Sequence, residues 1–441
     1  MELPDRGLAS EHSVSQRAVA AVALVAFAAC KPPAPTPAPD AGSAGVTAAS
    51  AAHPLDAAVS APAVTSPAPA SPAASDDAAP NAAPRPPDAG ASCRVVYGPE
   101  PLGFRGAVAL AVEGSRLVVV ANDGGKPRTE SVAIPAVPPR GATPRPSGLT
   151  DRAPVQVLDS TPCELAGATR VCPARDGAVR RYGPAGERLV GMSRPGTRVA
   201  AATVGTRTAI AFLVERPATG QGETVLHARV ALDDAAPVRL SDDGGGATQL
   251  ALVSLGDKAV ALTLDARMAM TPVHARELSV GTGGALTLGP DAVLAIGGPA
   301  ERGVALAAGR AGADVFALVP LPSEITTFGM TTLKVPSPPR ADVPVVLSRY
   351  PNGLDPAPLA ATHGGKHVYI ARVVPESAAP HAARALELGR LAPSGQFLSY
   401  GLVARTSVTD VAIVEDNEHA LWVGFGDGGR TWLARFVCPP G

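Results

Sequence analysis

Short apolar runs separated by polar turns recur along most of this chain. Each copy spans 15 residues and reads as apolar strand, polar turn, apolar strand, as in Val108–Asn122 (VALAVEGSRLVVVAN). Runs rich in Val, Leu and Thr that are bounded by Gly, Asp and Pro predict β-strands joined by hairpins. Further copies of this pattern begin at Ala201, Leu250, Leu294, Leu359 and Val411.

More strand-like runs follow several of these copies. Third runs are Thr224–Leu232, Thr271–Val280 and Thr431–Val437, and fourth runs are Ala285–Leu288 and Gln396–Tyr400. Four strands in a unit of about 40–50 residues predict a β-propeller. The interval between the copies at 108 and 201 is twice the usual one, and the hairpin Cys163–Cys172 supplies a divergent copy inside it. We therefore predict an all-β fold, a single β-propeller of seven four-stranded blades, with six or eight blades as alternatives.

The last unit shows only three strands after Thr409. The run Cys93–Tyr97 at the start of the repeat region is expected to supply the missing fourth strand. The first and last parts of the domain would then share one blade and close the ring.

Four cysteines follow residue 92, an even number that favours disulfides in an exported protein. If Gly167 and Ala168 form a two-residue hairpin loop, Cys163 and Cys172 face each other about 4.5 Å apart at Cα, which a disulfide accepts. Cys93 and Cys438 lie at the two ends of the domain, and we favour their pairing among the three possible arrangements. A metal site is the alternative, although no Cys-x-x-Cys spacing supports it.

The N-terminal segment carries a targeting signal. The apolar run Ala18–Ala29 has 12 residues, too few for a membrane span of about 20, and Arg17 precedes it. It ends in Phe27-Ala28-Ala29-Cys30, which resembles the lipobox of bacterial lipoproteins, with Phe27 where Leu is usual. The resemblance implies that residues 1–29 are a signal peptide and that the thiol of Cys30 carries a diacylglycerol. An ordinary secretory signal that is cleaved after Ala29 is the alternative.

Composition divides the rest of the chain in two. Residues 31–92 contain 22 Ala and 14 Pro among 62 positions, which predicts a disordered, extended tether after Cys30. Residues 93–441 form the predicted propeller domain. This domain has 34 Lys and Arg against 31 Asp and Glu, so it lacks the strong basic field of nucleic-acid binders.

One turn near the end of the chain has a recognisable pattern. Gly426–Trp432 (GDGGRTW) resembles the Asp-box of sialidase-like propellers, with Phe425 where that family has Ser. The resemblance implies a structural turn built on Asp427, Gly429 and Trp432, in which Asp427 accepts hydrogen bonds from nearby backbone N–H groups. Ser241–Gly245 and Asn122–Gly125 match only a few positions of the same pattern.

The histidines of the chain do not follow a metal-ligand spacing. His363 and His367 flank Gly364-Gly365, which places them across a hairpin tip instead of on one face of a helix. His227 and His274 occupy equivalent places in two His-Ala-Arg strands, which the repeat explains. The chain has no G-x-S-x-G, H-E-x-x-H or P-loop motif, so the sequence predicts no catalytic residue, no metal site and no cofactor.

Function is less well determined than fold. We expect an envelope lipoprotein, held at the outer membrane by lipid on Cys30, whose propeller binds another envelope protein or polymer. Lys31 favours the outer membrane, because Asp at that place signals inner-membrane retention. The Pro-rich insertions Pro135–Pro154 and Pro336–Pro358 are candidate binding loops.

A hydrolase or lyase acting on glycans or peptides at the channel is the alternative, and carboxylates, His or Arg converging at the channel mouth would favour it. An outer-membrane assembly factor is less favoured, since its Gly-x-x-x-Trp repeat is missing.

Overall fold

The computed structural model describes twelve segments of the chain, which together hold 30 β-strands. These segments are 93–140, 155–217, 224–241, 246–265, 271–297, 306–324, 327–340, 345–350, 359–375, 384–405, 408–427 and 429–439. None of them forms a helix of the length and apolarity that crossing a bilayer requires. Cys30 and the predicted tether lie outside the described residues.

The strands of the first half are numbered in chain order: β1 Arg94–Pro101, β2 Phe104–Arg105, β3 Val108–Glu113, β4 Arg116–Asp123, β5 Lys126–Ala133, β6 Gln156–Val157, β7 Glu164–Ala166, β8 Thr169–Pro173, β9 Ala178–Gly183, β10 Gly186–Met192, β11 Ala200–Val204, β12 Arg207–Pro217, β13 Thr224–Leu232 and β14 Val238–Arg239. Those of the second half are β15 Ala247–Ser254, β16 Lys258–Asp265, β17 Thr271–Val280, β18 Leu286–Leu288, β19 Ala292–Gly297, β20 Ala307–Ala311, β21 Asp314–Glu324, β22 Thr327–Val335, β23 Val345–Tyr350, β24 Leu359–Ala361, β25 Tyr369–Pro375, β26 Arg384–Leu391, β27 Phe397–Arg405, β28 Asp410–Glu415, β29 Leu421–Gly426 and β30 Thr431–Val437.

Seven antiparallel sheets form the blades of a β-propeller, as predicted. In chain order they are β3–β5, β7–β10, β11–β14, β15–β19, β20–β23, β24–β27, and β28–β30 with β1, and we call them blades 1 to 7. Blade 7 is completed by β1, which pairs with β30 through partners such as Arg94 and Val437. The expected closure of the ring by the first strand of the domain is therefore confirmed.

Glycine turns explain why the inner hairpins form. The first loop residue in four of them is a glycine with φ near +60°: Gly114, Gly167, Gly205 and Gly312. A type II′ turn requires this backbone conformation at its first central position, and its twist matches that of the flanking strands. The turn chemistry therefore fixes the register of these hairpins locally, before any contact between blades is needed.

The hydrophobic core is divided among the blade interfaces. Seven clusters of buried side chains are described, each between two consecutive blades around the ring. Strands inside a blade are covered on both faces, which is why residues 117–121 of β4 and the strand Leu421–Gly426 are continuous apolar runs. Alternate residues of β4 separate accordingly: Val119 packs toward blade 7 and Val118 toward blade 2.

Both expected disulfides are present. Cys93 and Cys438 join β1 to the end of β30, with Cα atoms 4.1 Å apart. Cys163 and Cys172 lie opposite each other across the hairpin of β7 and β8, at a Cα separation of 4.3 Å. Gly167 and Ala168 form the two-residue loop between these strands, since Ala166 pairs with Thr169.

Three sequence expectations need correction. The copy at Leu294 is not the inner hairpin of a blade: its first strand, β19, pairs with β17 of blade 4, and the inner hairpin of blade 5 is Ala307–Glu324. The blades also do not all have four strands, because β19 gives blade 4 a fifth strand and the described part of blade 1 has three. Finally, the insertion Pro336–Pro358 contains a strand of blade 5, Val345–Tyr350, since these β-branched and aromatic residues pair with β22. Residues 141–154 of the other insertion lie outside the described residues.

Candidate functional site: the central channel

The innermost strands of the seven blades surround a channel with a volume of about 810 Å³. These strands are β3, β7, β11, β15, β20, β24 and β28, and each is the first strand of its sheet. One edge of each strand pairs within its blade and the other faces the channel, so backbone polar groups are available along the wall. A concave space of this volume is within the range of small-molecule sites.

The middle of the channel wall is made of small or aliphatic side chains. Ala109, Ala111, Ala201, Ala308 and Ala412 belong to it, with Val and Leu between them. Alanine at these positions keeps the channel open, because larger side chains on seven converging strands would fill it. Charged side chains are confined to the two ends, which we call the first mouth (Glu164, Arg198, Asp410) and the second mouth (Glu113, Arg170, His363, Glu415).

The first mouth is assembled by three blades. Glu164 is the first residue of β7 in blade 2, Asp410 is the first residue of β28 in blade 7, and Arg198 precedes β11 in blade 3. Arg198 Nη2 donates to Asp410 Oδ1 at 2.9 Å. Because blades 3 and 7 are not neighbours in the ring, this ion pair crosses the opening of the channel.

Glu164 is a carboxyl group of the first mouth with a strongly raised pKa. Burial raises its pKa to about 7, with Asp410 adding to the rise and Arg198 opposing it. Its side chain makes no hydrogen bond or ion pair within the described part of the chain. Burial also raises the pKa of Asp410, although Arg198 and the backbone N–H groups of Val411 and Val108 partly offset this effect. The first mouth therefore holds two carboxyl groups that compete for one guanidinium group.

The second mouth is more fully paired. Arg170 Nη2 donates to Glu113 Oε1 at 2.5 Å, and the hydroxyls of Thr203 and Ser254 are 2.8 Å apart. His363 is partly open to solvent, but the protein around its ring, and then the charge of Arg310, lower its pKa to about 4. The imidazole is consequently neutral at physiological pH.

Glu415 lies at the edge of the second mouth. Its Oε1 is 2.8 Å from His419 Nδ1, and its side chain is 10% exposed. Its Oε2 is buried and has no hydrogen-bond partner. Gly365, at φ +82°, leaves space for this oxygen, because a Cβ at that position would collide with it. The Gly-Gly tip that the sequence singled out thus leaves room for the carboxylate of Glu415.

The predicted structural turn lies at the periphery of blade 7, away from the channel. Asp427 Oδ1 accepts from the backbone N–H groups of Gly429 and Arg430 at 2.9 and 2.8 Å, and Oδ2 accepts from Trp432 Nε1 at 2.7 Å. Burial alone would raise the pKa of Asp427, but these hydrogen bonds outweigh it and lower the pKa. This geometry uses both oxygens of Asp427 within its own turn.

A second polar network in blade 7 was not anticipated. The buried carboxylate of Asp416 accepts from Trp422 Nε1 at 3.0 Å and from Arg435 Nε at 2.7 Å. The backbone N–H groups of Glu418 and Ala420 donate to its other oxygen. Arg435 is a charged residue between Ala434 and Phe436 in an otherwise apolar part of β30, a pattern that could have indicated a buried acidic partner.

The remaining histidines are dispersed around the ring. His227 and His274 occupy the third strands of blades 3 and 4, at the equivalent positions that the repeat predicted. His227 Nδ1 is 3.1 Å from Arg239 Nη2, and His274 Nδ1 is 2.8 Å from Asp291 Oδ2. Within the twelve described segments, no three His, Cys, Asp or Glu side chains are grouped as a metal site requires.

The residues of the first mouth were missed by sequence reasoning. Each stands beside a repeat that had been identified: Glu164 follows Cys163, and Asp410 precedes Val411. Charged residues at the first position of an innermost strand were the available signal. What the sequence alone does not provide is the identity of the blades whose charged side chains meet across the opening.

Comparison with known proteins adds likenesses of fold. No protein-family model matches the chain, and no curated protein matches it. Among solved structures, a putative oxidoreductase (glucose dehydrogenase) from Thermus thermophilus is 15% identical, with a TM-score of 0.34, over 63% of this chain and 96% of that one. BamB from Moraxella catarrhalis is 10% identical, with a TM-score of 0.37, over 76% of this chain and 82% of that one.

A third structure, a GH32 beta-fructofuranosidase of Bombyx mori in complex with sucrose, is 8% identical, with a TM-score of 0.33, over 59% of this chain and 66% of that one. At these identities the likenesses concern the fold and carry no activity over to this chain.

Proposed function

We propose that this protein is a cell-envelope lipoprotein whose propeller is a non-enzymatic binding module. Lipid on Cys30 anchors the chain in a membrane, residues 31–92 act as a spacer, and the central channel receives part of another envelope protein or polymer. The observation that supports the binding role is the channel: an open space lined by backbone polar groups and small side chains, with free strand edges along it and charged groups at its ends. A concave space of this size that presents polar groups can hold part of a ligand.

Two features support a location outside the cytoplasm. Both disulfides are of a kind that persists in oxidising compartments. The sequence Phe27-Ala28-Ala29-Cys30 resembles a lipobox, and Lys31 after it favours the outer membrane. Lipid attachment at Cys30 and location at the outer membrane are therefore proposed together with the binding role.

The anchor is tested by Cys30→Ser. We expect this variant to leave the membrane fraction and to appear as folded, soluble protein, because the lipid is attached to the substituted thiol. Lys31→Asp serves as the matched variant, which keeps the lipid and should shift the protein to the inner membrane. Retention of the Cys30→Ser protein in the membrane fraction would contradict the anchor.

The binding role is tested by site-specific photocrosslinking in living cells. A photoreactive amino acid at Gln249, on the channel wall, should form crosslinked products that the same amino acid at Arg188 does not form. Arg188 is exposed on β10, the outermost strand of blade 2, and therefore controls for random encounters. Equal products at both positions, or none at Gln249, would contradict binding in the channel.

A hydrolase acting on glycans or peptides is the second candidate, and the first mouth favours it. Pairs of carboxyl groups whose environments separate their pKa values can divide the roles of acid and base. Glu164, with a pKa of about 7, would be the general acid, and Asp410, which is bonded to Arg198, would be the second carboxyl group. Turnover of glycan or peptide substrates that is lost in both Glu164→Gln and Asp410→Asn would establish this activity. Turnover that survives either substitution would exclude these residues.

A further inference from the structure

We infer that the first mouth binds an ammonium or guanidinium group, and that this group replaces Arg198 beside Asp410 and Glu164. The inference rests on the proposed binding role of the channel and adds the chemical class of its ligand. Three observations on the described residues support it.

The first observation is a deficit of positive charge. Two carboxyl groups, Glu164 and Asp410, share the single guanidinium group of Arg198, which bonds to Asp410. Glu164 makes no hydrogen bond or ion pair in the part of the chain that the structure describes. Glu164 is half-buried and lines the channel, so a cationic ligand in the channel could supply the donor that its carboxyl group lacks.

The second observation is that Arg198 is weakly held. Its side chain is 47% exposed, whereas that of Asp410 is 16% exposed. Within the described residues its guanidinium group donates one hydrogen bond, to Asp410. Ion pairs with one exposed partner contribute little to stability, so displacing Arg198 into solvent costs little. The carboxylate it leaves behind remains oriented by the backbone N–H groups of Val411 and Val108.

The third observation concerns the wall beyond the charges. Val108, Ala200, Leu250 and Val411 line the channel next to the first mouth. Their side chains are buried between the blades, so this part of the wall places no further charged group beside the ligand. Glu113 at the second mouth is already paired with Arg170, so the carboxyl group that lacks a donor lies at the first mouth, and a cation is the chemistry complementary to it.

The test is a titration of the purified full chain with hexylamine and hexylguanidine, followed by calorimetry, with hexanol as the uncharged probe. Arg198→Ala should bind both cations about two- to fivefold more tightly, since the ligand no longer competes with an exposed ion pair. Glu164→Gln should bind them about tenfold or more weakly, because a charge-assisted hydrogen bond is lost. Arg188→Ala, on the outer strand of blade 2, is the matched control and should bind like the parent protein.

Several results would overturn the inference. If hexanol binds as tightly as hexylamine, the channel recognises the alkyl group or a hydroxyl group and not the positive charge. Weaker or unchanged cation binding by Arg198→Ala would show that Arg198 does not occupy the ligand's place. If Glu164→Gln fails to fold, the same titration is made with Asp410→Asn. Cation affinity equal to that of the parent protein in this variant refutes the site.

The outcome is separable from the proposed function. Channel crosslinks at Gln249 together with no measurable cation binding would refute the ligand class and leave the binding role intact. Absence of the crosslinks would refute the binding role itself, whatever the titrations show.

Discussion

Two Arg–Asp pairs in this propeller involve blade 7 and differ in almost everything except their chemistry. Arg435 and Asp416 lie inside the blade, with both side chains 0% exposed and Nη2 2.6 Å from Oδ2. Arg198 and Asp410 meet across the channel, 47% and 16% exposed and 2.9 Å apart. The first pair belongs to one sheet, whereas the second joins two blades that are not neighbours.

The difference lies in how completely each carboxylate is satisfied. Asp416 accepts from Trp422, from Arg435 and from two backbone N–H groups, so its oxygens have all the donors they need. Asp410 shares its guanidinium partner with Glu164, which has no hydrogen bond of its own in the described chain. A closed network of this kind stabilises a fold, whereas an incomplete one at the end of a channel leaves interactions for a ligand.

The largest expected effect tests the buried pair. Asp416→Asn should lower the free energy of unfolding by about 3–5 kcal/mol, because Arg435 loses its buried counter-charge and keeps only the exposed carboxylate of Glu418. Urea denaturation followed by fluorescence measures it. Asp427→Asn in the exposed turn of the same blade is the control, with an expected loss of about 1–2 kcal/mol from weakened turn hydrogen bonds. Equal losses in the two variants would remove the distinction between buried network and peripheral turn.

The two disulfides should differ in how much they stabilise the fold, because one closes the ring at blade 7 and the other closes a short hairpin. Cys93 and Cys438 are 345 positions apart, whereas Cys163 and Cys172 are 9 apart. In the chain-entropy model the longer loop gives about 3 kcal/mol more stabilisation. Replacing each pair by alanines and comparing urea midpoints tests this, and a larger loss from the short-loop pair would contradict it.

A smaller effect is expected from pH at the first mouth. The pKa of Glu164 rises from 4.5 in the unfolded chain to about 7 in the fold, so the folded state binds the proton more tightly. Its contribution is therefore most favourable below about pH 4.5 and declines as the pH rises through 7. After allowance for solvent screening the decline is roughly 1–2 kcal/mol.

Glu164→Gln should remove this part of the pH dependence. The measurement is the free energy of unfolding at about pH 5 and about pH 8, in the parent and the variant. His363 has a lowered pKa and acts in the opposite direction at acid pH, but it is present in both proteins and cancels in the comparison. Identical pH profiles would contradict the assigned role of Glu164.

The smallest expected effect concerns the pair across the channel. Arg198→Ala should change the free energy of unfolding by less than about 1 kcal/mol, as for other exposed ion pairs. The same substitution at Arg435 should cost several times more, because it leaves Asp416 buried and unpaired. Thermal or urea denaturation of the two variants side by side decides this. A large loss at Arg198 would make that pair structural.

Much of the fold could be predicted because its determinants are local. Strands Thr224–Leu232, Thr271–Val280 and Thr431–Val437 have the bounds that the sequence predicted. Their limits are set by turn residues and by alternation within a few positions. The closure by β1 was predicted by counting strands, and the cysteine spacing pointed the same way.

The errors share one physical cause: a local sequence pattern predicts a strand but does not specify which other strand it pairs with. The run at Leu294 has the apolar character of an innermost strand, yet it pairs with β17 of the preceding blade. Likewise Glu164, Arg198 and Asp410 come from three blades, and their meeting depends on how the ring closes. Sequence patterning predicts strands and hairpins, while the contents of the channel depend on the assembled ring.

The position of the Cys93–Cys438 bond has a mechanical consequence. Any force applied to the chain ahead of residue 93 enters the domain at a residue that is already bonded to the end of β30. The load passes through the sulfur atoms into Cys438 instead of peeling β1 from its neighbour one hydrogen bond at a time. Blade 7 therefore resists extension covalently at the point where the preceding segment would pull on it.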